Sequence, residues 1–296
     1  MGVQVFNPIL GIGPIALGML TAIASPEPAR ADIPGLWRPS EPEAVETDPF
    51  AAPAVPPLGE GRLYLPNPAP PSPPVFPKSA PKTRTFTIPA RYYGAIVNRV
   101  YPKQGERVVA LTFDDGPWPD TDRVLAVLRR HGVRATFFFL GQNLPRYPDI
   151  ARRVVADGHA VGNHTWNHPY QALDGAAAAR EIDETARHIA ELTGTPLLIF
   201  RPPGGILDNG AVDYARRKNY VVVMWSIDTQ DYQQPSAATL ADRVLTQAHP
   251  GAIVLMHDGG GNRGRTVEAL GTIIAGLKAR GYRFVTVPEL LEMDGE

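Results

Sequence analysis

The 296-residue chain has no cysteine, which excludes disulfides, thiolate catalysis and zinc-thiolate sites and leaves thiol chemistry silent on compartment. Neither sign of charge is in excess. With 29 Lys and Arg against 30 Asp and Glu, the formal net charge is -1, so no basic stripe nominates nucleic acid and no acidic tail nominates a basic partner. Lys and Arg are also missing from residues 1–8, and the apolar run that follows, residues 9–24, is shorter than the ~20 residues a spanning helix needs. No Walker-type Lys-Ser/Thr follows Gly259-Gly260-Gly261, so that glycine run reads as a loop and a phosphate-binding or nucleotide enzyme is disfavoured.

What is present is an ordinary globular composition, 44% hydrophobic and 20% charged, enough for a sizeable core. The run at residues 9–24 is followed by Ala29-Arg30-Ala31, and residues 1–31 therefore read as a signal peptide or N-terminal anchor. That reading places the protein outside the cytoplasm, in the periplasm or cell envelope, with a membrane tether through the N-terminus if the leader is retained. Of the 32 prolines, 18 lie between Pro26 and Pro89. Proline fixes φ and donates no amide hydrogen, so residues 32–88 are expected to form an extended, disordered linker.

From Val108 onward the pattern alternates between short apolar runs and amphipathic segments. Strands are expected at residues 108–113, 135–140, 159–162, 197–201, 220–225, 252–256 and 283–287. Helices fall between them at 120–130, 147–156, 176–192, 211–217, 237–248 and 265–279. Gly132, Gly158, Gly194, Asn219 and Gly281 stand where left-handed helix C-caps are needed. Runs such as Val221-Val222-Val223-Met224 suit a parallel sheet covered on both faces. The class is α/β, barrel or doubly wound, and in either case ligands bind at the carboxyl ends of the strands.

Those ends carry the titratable residues. The first expected strand runs into Thr112-Phe113-Asp114-Asp115-Gly116-Pro117, which in isolation is also ordinary turn chemistry. The third runs into His164-Thr165-Trp166-Asn167-His168, whose two histidines would share one face if the segment turned helically. Two histidines with a strand-end carboxylate form a set with open positions, suited to Zn²⁺ or a similar divalent ion. Later strand ends add Arg201-Pro202-Pro203-Gly204-Gly205, Asp228-Thr229-Gln230-Asp231-Tyr232 and Leu255-Met256-His257-Asp258. Singly, each is equally a salt bridge, a cap or a buried histidine.

The order T-F-D-D-G-P, H-T-x-x-H, R-P-P-x-G, D-x-x-D followed by an aromatic, then L-x-H-D is similar to the polysaccharide deacetylase family, carbohydrate esterase family 4, over residues 106–292. The resemblance implies a single catalytic domain folded as a deformed (β/α)7-type barrel. It implies a divalent metal on Asp115, His164 and His168, with Zn²⁺ favoured and Co²⁺ accepted. Asp114 would be the general base and His257 the general acid, its charge raised by Asp231, with Arg201 orienting the catalytic carboxylates. A backbone N–H near Gly204 would face the oxyanion, Leu255 the acetyl methyl, and Tyr232 and Trp166 the sugar; Trp118 and Tyr170 are further aromatic candidates. The family often carries Tyr at the Gly204 position and Trp at the Tyr232 position, so substrate choice is where this chain departs. The implied reaction removes N-acetyl groups from N-acetylglucosamine-containing glycans such as peptidoglycan or chitooligosaccharide. An O-acetyl xylan-type esterase and a non-catalytic glycan-binding module are the alternatives.

Overall fold

A computed structural model describes residues 86–194 and 198–295. The expected leader and all but the end of the expected linker lie outside the described residues. Among the described residues nine strands form one sheet: β1 (Ile96–Val97), β2 (Val108–Gly116), β3 (Thr136–Phe139), β4 (Ala160–Asn163), β5 (Ile199–Phe200), β6 (Val221–Val223), β7 (Ile227–Asp228), β8 (Ala252–His257) and β9 (Arg283–Phe284). Their order is β1-β6-β5-β4-β3-β2-β8-β7, every pair is parallel, and β9 joins the first residues of β2. The sheet curls into a half-barrel whose path ends at the two-residue strands β1 and β7.

Among the described residues seven α-helices accompany it: α1 (Pro119–His131), α2 (Pro148–Ala156), α3 (Gly175–Thr193), α4 (Ala211–Arg217), α5 (Ala237–Gln247), α6 (Gly264–Ala279) and α7 (Val287–Glu292). Their limits follow local chemistry. Asp174 and Ser236 accept from the backbone N–H three residues on, at 2.7 and 3.1 Å, and so open α3 and α5. All five expected caps, Gly132, Gly158, Gly194, Asn219 and Gly281, do take positive φ. The strand expected at 220–225 is cut to Val221–Val223, Arg201 falls outside the strand expected at 197–201, and the last expected strand is corrected further. Residues 283–287 give only Arg283–Phe284, because Thr286 and Glu289 form a capping box with Pro288 in the first turn, and the chain enters α7 instead.

Strand β2 is the axis of the fold. All nine of its residues are buried, and it lies between β3 and β8. Phe113, Phe137, Phe138, Phe139 and Phe200 pack with the apolar faces of the helices in one core. That core also takes in Ile88, Val97 and Val100, so the packed body begins upstream of residue 106. Residues 97–102 pass from the β6 edge to the start of β8, where Arg99 bridges Ala252 and the Val100 N–H donates to Gly251 at 3.1 Å. Among the described residues no helix is long and apolar enough to cross a membrane.

Candidate active site

Adjacent residues of a strand point to opposite faces, so Asp114 and Asp115 in a regular β2 could not serve one site. The strand breaks its regularity at that point. The β2–β3 register shifts between Asp114 and Gly116, and Asp115 takes φ of 73°, a left-handed conformation that Asp tolerates better than most residues. Asn143 holds the irregular backbone by donating to the Asp115 carbonyl at 2.9 Å. Both carboxylates consequently reach the same histidine: Asp114 Oδ2 lies 3.7 Å and Asp115 Oδ1 3.6 Å from His164 Nε2.

The histidine pair does not arise from a helical turn. His164–His168 is a loop after β4 in which Thr165 and His168 have φ of 69° and 60°, and this brings the imidazole centroids to 4.9 Å. Thr165 Oγ1 accepts from the His168 N–H at 3.1 Å and closes the turn. His164 Nδ1 meets the Arg201 carbonyl at 2.8 Å, and since a carbonyl only accepts, Nδ1 carries the proton and Nε2 keeps its lone pair. Burial, opposed by the charge of Asp115, pushes this imidazole down to about 3, so it is neutral.

His168 Nε2 also stands 3.6 Å from Asp115 Oδ1, an oxygen that is buried and has no hydrogen-bond partner. Three ligand atoms within 4.8 Å of one another, two of them imidazole nitrogens and one an orphaned carboxylate oxygen, fit a divalent cation. The Arg201 carbonyl behind His164 is the outer partner such ligands use to fix orientation.

Arg201 is fully buried just after β5. Its guanidinium donates to Asp114 Oδ1 and to Thr112 Oγ1, both at 2.8 Å, and to the carbonyls of Val223 at 2.9 Å and Met224 at 3.2 Å. The Phe138 ring lies 4.2 Å from its Cζ. Asp114 Oδ1 is thereby tied down, and Oδ2 remains on the His164 side.

His257 ends β8 directly beside Asp114 in register. Its N–H donates to Asp231 Oδ2 at 2.8 Å and its Nδ1 meets Oδ1 at 2.6 Å, while Thr266 donates to Oδ2 at 2.8 Å. Burial works against an imidazolium here, but the Asp231 carboxylate, with Asp114 and Asp115 adding to it, outweighs burial and raises the His257 pKa. Asp231 is lowered in turn, the bonds from His257 and Thr266 overcoming its own burial. Asp258 points elsewhere: it is buried, accepts from Thr121 at 2.5 Å, and is pushed up to about 7 by burial.

Asp114, Asp115, His164, His168 and His257 line a cavity of about 480 Å³ that also takes in Gly204, Tyr232, Leu255, Tyr170 and Trp225, while Arg201 and Asp231 stand behind its wall. Gly204 has φ of 59°, and a Cβ there would come within 2.8 Å of the Tyr170 ring, which lies over it. Trp166 is not part of the lining. Its indole turns to α3, where it meets His188 at 5.0 Å and covers Gly141. Trp118 packs on Tyr147 and is likewise outside the lining. Two lining residues carried no signal in the sequence: Trp225, past the end of β6, and Arg263, six residues after His257.

A carboxylate held by a buried arginine, a carboxylate-paired imidazole and a cluster able to hold a cation, around one cavity at the carboxyl ends of parallel strands, suit hydrolysis at a carbonyl. Comparison with known proteins agrees. The sequence profile of the polysaccharide deacetylase family matches residues 101–223. A peptidoglycan-N-acetylglucosamine deacetylase of Bacillus cereus is 40% identical over 190 residues, covering 63% of this chain and 89% of that protein. A chitooligosaccharide deacetylase of Rhizobium leguminosarum bv. trifolii is 39% identical over 197 residues, covering 62% and 92%. The crystal structure of a peptidoglycan N-acetylglucosamine deacetylase, Bc1960, superposes with a TM-score of 0.64 at 36% identity, covering 70% of this chain and 96% of that one. The chain belongs to the polysaccharide deacetylase family, and it is a deacetylase.

Proposed function

We propose that this protein removes N-acetyl groups from N-acetylglucosamine units of peptidoglycan or chitooligosaccharide, with a divalent metal, Zn²⁺ by preference and Co²⁺ as a substitute, on Asp115, His164 and His168. The observation that carries the reading is the orphaned Asp115 Oδ1, buried and 3.6 Å from each of two imidazole Nε2 atoms. When bound, the ion supplies a Lewis acid that lowers the pKa of water and polarises an acetyl carbonyl.

Every other part of the reaction falls to the chain. Asp114, with Oδ1 held by Arg201, takes the proton of the attacking water on Oδ2. The Gly204 backbone N–H is the donor offered to the oxyanion, since Pro202 and Pro203 have none and the Gly205 and Ile206 N–H groups donate to the Pro202 and Pro203 carbonyls. Leu255, buried beside His257, receives the acetyl methyl. His257, protonated through Asp231, delivers a proton from Nε2 to the leaving amine. An amine is a poor leaving group unless protonated, so a raised imidazolium favours an N-acetyl over an O-acetyl substrate. Tyr232 and Tyr170, both exposed on the cavity rim, offer apolar ring faces to the sugar. The leader-like N-terminus agrees with a site of action outside the cytoplasm, where such polymers lie.

The test is acetate release by the full-length protein from chitooligosaccharide, peptidoglycan and acetylated xylan, with and without a chelator, beside the Asp114→Asn variant. Chelator-sensitive release from an N-acetylated glycan, lost in the variant, is the expected result. Release from xylan alone would convert the reading to an esterase, and binding without release from any of the three would convert it to a glycan-binding module.

A further inference from the structure

Asp115 has two carboxylate oxygens, and only Oδ1 faces the histidines. The other, Oδ2, faces a second buried arginine. Arg263, 5% exposed at the N-cap of α6, brings Nη2 to 3.9 Å from Asp115 Oδ2. It is held in that place from several directions. Its Nε donates to the Gly259 carbonyl at 2.6 Å and Nη2 to the Gly260 carbonyl at 3.4 Å, while its backbone N–H donates to Asp120 Oδ2 at 2.9 Å. Gly260, with φ of 68°, passes so close to the junction that a Cβ would lie 2.7 Å from Asp115 Oδ2 and 3.3 Å from Arg263 Nη2.

The two adjacent carboxylates of β2 are thus each met by a different buried guanidinium, Asp114 by Arg201 and Asp115 by Arg263. We infer that Arg263 is a positioning residue for Asp115: its charge holds Oδ2 and so keeps Oδ1 turned to the two histidines. This rests on the reading of Asp115, His164 and His168 as metal ligands. An outer group that orients a ligand contributes about 10- to 100-fold to metal affinity. A purely structural arginine would only tie the Gly259-Gly260-Gly261 loop to α6.

The two roles separate in a pair of variants of the full-length protein, Arg263→Gln and Arg263→Lys. Both lose the guanidinium bonds to the loop carbonyls, and only lysine keeps the charge. Metal-stripped protein is titrated with Co²⁺, following its visible absorption, and the melting temperature of each metal-free variant is recorded. The expected result is Co²⁺ binding weakened about 10- to 100-fold in the glutamine variant and largely restored in the lysine variant, although both melt alike. Unchanged affinity in the glutamine variant, or equal loss in both variants in step with their melting temperatures, overturns the role while leaving the metal site standing. Failure of the wild-type protein to bind Co²⁺ overturns the metal site itself, and the role of Arg263 with it.

Discussion

Asp231 and His257 are 26 residues apart in the chain and 2.6 Å apart at their side chains. What the pair does depends on a balance: burial alone would leave a neutral imidazole, and the carboxylate reverses this. Replacing Asp231 by Asn removes the charge and leaves the burial, so the His257 pKa falls. A general acid works only when protonated, and its contribution is lost as pH rises through its pKa. The alkaline limb of the kcat profile for an N-acetylated substrate therefore moves to lower pH in Asp231→Asn, and kcat at pH 8 drops by about 10²- to 10⁴-fold. An alkaline limb in the same place in both proteins would remove His257 from the role of acid.

Single elements reach the chemistry through packing. Gly162 in β4 lies against the Phe138 ring of β3, with Ile199 Cγ1 3.2 Å from where a Cβ would stand. Phe138 in turn supports the Arg201 guanidinium, and Arg201 holds Asp114. A methyl group at Gly162 has no space to enter without shifting that ring. Gly162→Ala should cost about 1–3 kcal/mol in urea unfolding, as overpacking of a tight core does, and lower kcat as Arg201 follows the ring. A variant as stable and active as the parent would show that β3 and β4 yield more readily than their packing implies.

At the scale of the whole molecule, the half-barrel depends on residues that precede its first long strand. Ile88, Val97 and Val100 are buried in the common core, and β1 covers the free edge of β6. Three such side chains contribute roughly 4–9 kcal/mol, comparable with the entire stability of an ordinary domain. None of them lines the cavity. Protein beginning at residue 106 should therefore lose the cooperative thermal transition that protein beginning at residue 86 retains, monitored by circular dichroism. Equal melting of the two would make residues 86–105 an accessory to the fold.

Much of this architecture was legible beforehand, and for physical reasons. Alternation of apolar runs with helical periodicity and left-handed caps marks an α/β sheet, the carboxyl-end rule then marks the clusters at 114–115, 164–168, 201–205, 228–232 and 255–258, and the resemblance to the polysaccharide deacetylase family picks Asp114, Asp115, His164, His168, Arg201, Asp231 and His257 out of them. These are local properties of the chain. Strands β1 and β7 are not legible in the sequence because Ile96–Val97 and Ile227–Asp228 do not sit in longer apolar runs as β5 does; pairing with β6 and β8 makes them strands. Trp166, inside the His164–His168 loop, and Tyr170, two residues after it, look equivalent in sequence, yet Trp166 packs on α3 while Tyr170 lines the cavity.

The chain by itself determined which residue types stand at the strand ends and in what order, because spacing, caps and motif chemistry are written in neighbouring positions. Only the tertiary structure decided that two consecutive carboxylates could share one site, since that required a bulge with Asp115 at φ of 73°. It also decided which guanidinium met which carboxylate, since those contacts join segments 87 and 148 residues apart whose approach no local pattern encodes.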